Sequence, residues 1–201
     1  MRRATLLAVN INPQATTRSG TRALVRKFKQ LCAHTVSVSE RHFLRIRLES
    51  LKATPPDALV IGPQGVPFDA YPTTAKEHLF ALLKELTEPA LAVCGGHQAL
   101  ALAHSSTVGP VFGGSASGSY DGMDKEVGFR TIIRAENDPI LSGVPQHARM
   151  YVSHVEEVKS LPPGFRLLAT GDPCRIQLIK ARQRAVYGCQ FHPEKGGDVA
   201  S

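Results

Sequence analysis

Cys94 stands inside the apolar run ALAVCGGHQALAL (90–102), where two glycines, a histidine and a glutamine interrupt the hydrophobic pattern. A cysteine so placed is either a small core residue beside a turn or a nucleophile on a sharp bend. Small residues two positions to either side, here Ala92 and Gly96, are what a strained strand-to-helix elbow requires, because the bend brings neighbouring backbone close. The N-terminus of a helix favours a reactive thiolate, and the bend leaves the N–H of Gly95 free to bind an oxyanion. A lone cysteine in an apolar run is more often simply buried. The glycine pair and the position between strand and helix bring the two readings to parity.

A reactive thiol needs a base, and the base needs a group that fixes its tautomer. Of the eight histidines, His34, His42, His78, His104 and His147 have no polar partner at a useful spacing. The stretch YGCQFHPEKGG (187–197) is different, because a β-type run ends there in His192-Pro193-Glu194. Residues i and i+2 lie on the same side of an extended chain, so Glu194 can reach His192 and orient it. Joined to Cys94, the pair supplies a Cys–His–Glu relay.

These residues must be carried by elements that converge. TLLAVNI (5–11), TVSVS (35–39), DALVIG (57–62) and ALAV (90–93) read as strands. Between them, 19–32 has Leu24, Phe28, Leu31 and Cys32 at helical spacing, with Ser19 or Thr21 as possible caps. RHFLRIRLESL (41–51) reads as a helix, and so does 73–89, with a capping Thr and a closing Pro. A further helix begins at HQALALAHSS. Strand and helix alternate to about residue 106, which predicts an α/β fold: an open, mostly parallel, doubly wound sheet with helices on both faces. Beyond it come Gly-rich turns (113–122) and the short β-like runs FRTIIR, RMYVS, FRLLAT, CRIQLIK and AVYGCQF. They predict either strands added to the same sheet or a smaller β-rich C-terminal extension. Both Cys94 and His192 fall at the ends of expected strands, where open α/β sheets place their sites.

Composition narrows the classes. A chain of 201 residues, 42% hydrophobic and 20% charged, suits a single globular domain over 1–201. The net charge of +7 is spread over scattered Lys and Arg, without a basic tract, and aromatics are only 6% with no Trp, so a nucleic-acid partner is not expected. Cys32, Cys94, Cys174 and Cys189 form no CxxC pair and no zinc spacing. They read as reduced thiols of a cytoplasmic protein without a metal or cofactor. No signal-peptide pattern and no membrane-length apolar segment is present, so no membrane association is expected.

With these residues in place, VCGGHQAL and YGCQFHPE resemble the two signature blocks of the class I (triad-type) glutamine amidotransferases, nearest to subunits and domains of the kind that serves GMP synthase. MYVSHVEEVKSLPPGFRLLATGD (150–172) is similar to the family segment bordering the glutamine pocket, and DALVIGPQGVPFDAYP (57–72) occupies the place of its oxyanion loop. The four blocks follow the family's order. The resemblance implies a flavodoxin-like fold and a glutaminase. Cys94 would attack the side-chain amide of glutamine, and His192 would act as base and then protonate departing ammonia. Glu194 would orient His192, and a γ-glutamyl thioester would be hydrolysed. Gln98 would hold the substrate glutamine, with Ser153 and His154 near its α-amino and carboxylate end. Neither GxxxxGK[ST] nor GxGxxG occurs, so the ammonia would pass to a separate synthase or acceptor protein.

Three positions depart from the family pattern. Ala92 replaces a glycine before the nucleophile. Pro63 falls where the family uses a glycine N–H, and proline has none, so the second oxyanion donor would come from Gln64 or Gly65. The chain also stops soon after Glu194, where the family continues into a closing helix, which predicts an apolar patch there. The alternatives are a γ-glutamyl hydrolase or transferase with the same triad, and a degenerate regulatory subunit. The intact Cys94, His192 and Glu194 argue against the latter.

Overall fold

The computed structural model describes residues 2–17, 19–32 and 34–196; the side chain of Ser19, a candidate cap, and residues 197–201 lie outside the described residues. The first half alternates as expected: β1 (Ala4–Asn10), α1 (Ser19–Leu31), β2 (Val36–His42), α2 (Leu48–Ala53), β3 (Ala58–Ile61), α3 (Thr73–Lys84), β4 (Ala90–Val93) and α4 (Gly95–Ala103). The second half is mostly strand: β5 (Val108–Pro110), β6 (Glu126–Arg134), β7 (His147–His154), β8 (Glu156–Val158), β9 (Phe165–Thr170), β10 (Leu178–Ala181) and β11 (Val186–Cys189).

Nine strands form one sheet in the order β2-β1-β3-β4-β11-β10-β9-β6-β7, and β5 pairs with β8 in a small second sheet. From β2 to β11 the neighbours run parallel. From β11 to β7 they run antiparallel. The β-rich part therefore joins the main sheet, and the last strand, β11, returns beside β4 in the parallel half.

Side-chain alternation sends each strand into two cores. Leu7, Val9, Leu59 and Ile61 pack with Leu79, Leu82 and Leu83 of α3 and Ala99 and Leu100 of α4 on one face. Leu6, Ala8, Val60 and Val93 pack with Leu24 of α1 on the other. Helices thus cover both faces of the parallel half.

Several local expectations are corrected. The segment 41–51 is not one helix: Arg41 and His42 continue β2, paired with Val9 and Asn10. Phe43 is then fully buried, and His78 Nε2 lies within hydrogen-bond distance of the Phe43 and Ile46 carbonyls, at 3.2 and 3.1 Å. This ring holds the backbone beside a single 3-10 turn over Phe43–Arg45, and the α-helix begins only at Leu48. Helix α3 starts after Pro72 with no side-chain cap. Thr21 is not a cap but is wholly buried against Gly62, where a Cβ would sit 2.5 Å from its Oγ1. Leu31, expected on the buried face of α1, is 70% exposed. In CRIQLIK only Leu178 onward is strand, and its pairing with β9 shifts register between Leu178 and Ile179.

Candidate active site

The site gathers at the carboxyl ends of the parallel strands. Cys94 follows β4 with φ 53° and ψ −108°, a conformation that L-residues adopt only under constraint. Two backbone bonds supply it: Cys94 N donates to the Cys189 carbonyl at 2.7 Å, and the Cys94 carbonyl accepts the first helical bond from Gln98 N at 3.0 Å. The glycines after it are required by close approach. A Cβ on Gly95 would meet Gln64 Cγ at 2.5 Å and Gln64 N at 2.7 Å, and one on Gly96 would meet the Ile61 carbonyl at 2.6 Å.

Next to β4 lies β11, with Gly188 opposite Ala92 and Cys189 opposite Val93. That register brings the segment after β11 beside the elbow. His192 N donates to the Tyr151 carbonyl of β7 at 2.8 Å, which anchors the arm. Its ring nitrogen Nδ1 lies 2.7 Å from Glu194 Oε1, leaving Nε2 for Cys94. Both side chains of this pair are nearly fully buried. Burial is the largest single influence on the ring and opposes its charge. The hydrogen bonds and charges of Cys94 and Glu194 outweigh it together and raise the His192 pKa from 6.5 to about 9. Gln190 Nε2 lies 3.6 Å from the Cys94 sulfur, and the Ser153 carbonyl lies 3.9 Å from it.

The loop after β3 uses its backbone amides differently. Gly65 N donates to Asn12 Oδ1 at 3.1 Å, whereas Gln64 N is the amide packed against Gly95. The backbone of Gln64 therefore lies close against Gly95, the residue that follows the thiol.

A small cavity opens from Cys94, with Gln64, Gln98, Tyr120, Lys125, Ser153 and Glu156 among its lining residues. Gln98 is buried, and its Nε2 donates to the Glu156 carbonyl and, at 3.3 Å, to Gln190 Oε1. Tyr120 donates to Glu156 Oε2 at 2.7 Å and accepts from Gln64 Nε2 at 3.2 Å. Burial, then the Glu156 bond, push the Tyr120 phenol upward, so it remains a donor; burial also raises Glu156.

His154 also lines the cavity, and its ring meets Glu126 only by proximity, since neither His154 Nε2 nor Glu126 Oε2 has a hydrogen-bond partner among the described residues. Nδ1 lies 3.0 Å from the Glu156 carbonyl, and Nε2 lies 3.2 Å from Oε2 of the fully buried Glu126. Arg130 Nε bonds the other Glu126 oxygen at 3.1 Å. His97, by contrast, is fully buried behind the elbow, where a Cβ on Gly188 would lie 2.6 Å from its Nδ1. Desolvation is the chief cause that lowers its pKa to about 3, so it stays neutral.

Each residue expected from sequence, Cys94, Gly95, Gln64, Gln98, Ser153, His154, His192 and Glu194, lies in this cluster. Tyr120, Lys125, Glu156 and Gln190 were not foreseen. The available signal for Tyr120 was its place as the sole aromatic in the Gly-rich turns 113–122, and for Gln190 its place next to the FHPE segment.

Comparison with known proteins agrees with this geometry. The profile of the family "Glutamine amidotransferase class-I" matches residues 16–200. A glutamine-hydrolysing GMP synthase subunit from Archaeoglobus fulgidus is 38% identical over 112 residues, 56% of this chain and 55% of that protein. The protein of the same name from Thermococcus kodakarensis is 35% identical over 151 residues, covering 73% of this chain and 71% of its own length. A glutamine amidotransferase structure from Thermotoga maritima superposes with a TM-score of 0.68 at 18% identity, over 96% of this chain and 77% of that one, which shows the shared fold. By the extent of the family match, this chain belongs to the class-I glutamine amidotransferases.

Proposed function

We propose that the chain, acting as one catalytic domain, hydrolyses the side-chain amide of glutamine and delivers the ammonia to a separate synthase subunit, as the glutaminase half of a GMP-synthase-type pair. The observation that carries this reading is the buried His192–Glu194 pair at 2.7 Å, beside a strained Cys94 that lines a cavity with Gln98 and Glu156. The Cys94 sulfur attacks the amide carbon. The oxyanion that forms meets the N–H groups of Gly95 and Gln64, which are fixed before the reaction begins. His192 passes a proton to the leaving nitrogen, while Glu194 holds Nδ1 and favours the charged ring. Ammonia leaves, a γ-glutamyl thioester remains, and water activated by His192 cleaves it to glutamate.

Gln98 and the Tyr120–Glu156 pair line the space beyond the reacting amide, where the α-amino and carboxylate groups of glutamine belong; Ser153 and His154 close that wall by their backbone. The acceptor rests on the relatives, which are named as glutamine-hydrolysing subunits of GMP synthase. The free thiols fit a cytoplasmic site of action, and no helix among the described residues is long and apolar enough to cross a membrane.

The test is labelling with the glutamine-analogue electrophile diazo-oxo-norleucine followed by peptide mapping, alone and with the synthase subunit of the same organism. Modification should fall on Cys94 and be prevented by glutamine. An unmodified Cys94 in the presence of that subunit rejects the reading.

A further inference from the structure

Gln190 follows β11 directly and is fully buried, and its side chain bridges Cys94 and Gln98. A buried amide is costly unless its polar atoms are paired, and the pairing here fixes which way the amide points. The Glu156 carbonyl can only accept, so the nitrogen of Gln98 faces it. That nitrogen can only donate, so it meets Gln190 through Oε1, at 3.3 Å. The Gln190 nitrogen is thereby turned to the Cys94 sulfur, 3.6 Å away. The backbone is held as well. Gln190 N donates to the Gln177 carbonyl at 2.9 Å, and one residue earlier the Cys189 carbonyl accepts from Cys94 N at 2.7 Å.

An N–H donor facing sulfur distinguishes the two forms of a thiol. A neutral thiol is a weak acceptor, whereas a thiolate makes a charge-assisted bond roughly twice as strong. We propose that Gln190 is a further catalytic residue, which stabilises the Cys94 thiolate when it forms and again when the γ-glutamyl thioester breaks; the role rests on the reading of Cys94 as the nucleophile. In the first step the thiol proton passes to His192, and the charge left on sulfur meets the Gln190 N–H. Once the γ-glutamyl group is attached the sulfur is neutral and this bond slackens. Water then gives a proton to His192 as it attacks the thioester carbon. The C–S bond breaks, its electron pair stays on sulfur as the thiolate, and the γ-carboxylic acid leaves. His192 takes up and releases a proton in every cycle, whereas the amide has none to give and remains a donor throughout. The titratable groups near the thiol are His192, Cys189, Tyr120, His154, Glu156 and Lys125. Substituting Gln190 changes none of them, so altered reactivity of the sulfur reports the amide.

Gln190→Glu and Gln190→Met test the assignment. Glutamate keeps the shape and the oxygen that Gln98 meets but sets a second oxygen against the sulfur; methionine keeps the length and removes both polar atoms. Alkylation by iodoacetamide at pH 7, followed peptide by peptide in the native protein, measures thiolate reactivity at Cys94, with the half-buried Cys32 as internal control. Cys94 should react about tenfold more slowly or less in both variants, with Cys32 unchanged, and ammonia release from glutamine should fall with it. Melting curves identify a variant that has lost its fold. A further measurement leaves position 190 intact: the side-chain amide protons of Gln190 should move upfield in Cys94→Ala, as a donor does when its acceptor is removed. Cys94 alkylation at the wild-type rate in a folded variant overturns the proposal. If ammonia release fell there nonetheless, Gln190 would be a holder of Gln98 and not a donor to sulfur. Amide signals indifferent to Cys94→Ala overturn it as well. A wild type that releases no ammonia from glutamine with its synthase subunit present, while Cys94 alkylation still depends on Gln190, rejects the glutaminase reading and supports the thiolate donor.

Discussion

In the parallel half of the sheet the reactive groups are held by backbone, whereas in the antiparallel half the pocket wall is held by side chains. Cys94 owes its position to a strained turn after β4 and to the bond from its N–H to Cys189, and His192 to the adjacent register of β11 and a bond to Tyr151. The wall opposite depends on Tyr120 reaching Glu156 and Gln64, and on His154 meeting Glu126. Backbone placement leaves little slack, since a Cβ on Gly95 or Gly96 has no room. Side-chain placement can be changed one bond at a time. The comparison predicts that substitutions in the first region act on kcat and those in the second on KM.

The largest effect belongs to Cys94→Ala. Removing the nucleophile should cut ammonia release by at least about 10³-fold, with thermal unfolding nearly unchanged because alanine fits the same small buried site. A coupled ammonia assay with a melting curve checks both. Residual activity near wild type would mean that the chemistry lies elsewhere.

Glu194→Gln comes next, with kcat lower by roughly 10²- to 10⁴-fold, since the ring loses the partner that fixes its tautomer and charge. Titrating the His192 ring by NMR should show its pKa fall from about 9 toward 6.5. The sign for stability follows from the raised folded-state value. Protonated His192 contributes stability that is fully present below about 6.5 and is lost as pH rises through about 9. Denaturant unfolding at pH 6 and pH 10 should therefore show a loss in wild type that shrinks in Glu194→Gln. An equal loss in both proteins would sever the ring's charge from Glu194.

Gly95→Ala tests the backbone side of the comparison without touching the triad. Its methyl group would enter the space of Gln64 and move one oxyanion amide, so kcat should drop by about 10²- to 10³-fold while KM changes little. A rise in KM at constant kcat would instead place Gln64 in ground-state binding.

The two regions also differ in how far their sequence discloses them. Cys94, the glycines and His192-Pro193-Glu194 were legible because each rests on local rules: a bend needs small residues, and i, i+2 partners face one way. The parallel half of the sheet follows from the alternation of strand and helix, whereas the return of β11 beside β4 does not. The helix expected over 41–51 failed because a distant ring, His78, captures the Phe43 and Ile46 carbonyls. Tyr120 was marked only by being the sole aromatic of the Gly-rich turns, because its partners Gln64 and Glu156 lie far from it in sequence. The Glu126–His154 pair needed the β6–β7 register, which no turn motif in the connecting segment announces. Ser153 acts at the thiol through its carbonyl, and a backbone contact leaves little trace in residue type.

The smallest predicted change gives the sharpest test of the division. Tyr120→Phe keeps the ring and removes only the hydroxyl that donates to Glu156 and accepts from Gln64. The lost bond to a carboxylate and the unpaired Glu156 oxygen left behind should raise KM for glutamine by about tenfold. The turnover number should be unaltered, because neither backbone donor nor His192 moves. Steady-state kinetics over a wide glutamine range separate the two constants, and the rate of Cys94 labelling at saturating electrophile gives an independent reading of the elbow. If kcat and labelling fell together while KM held, Tyr120 would be positioning Gln64 as an oxyanion donor, and the pocket wall would belong to the reactive machinery.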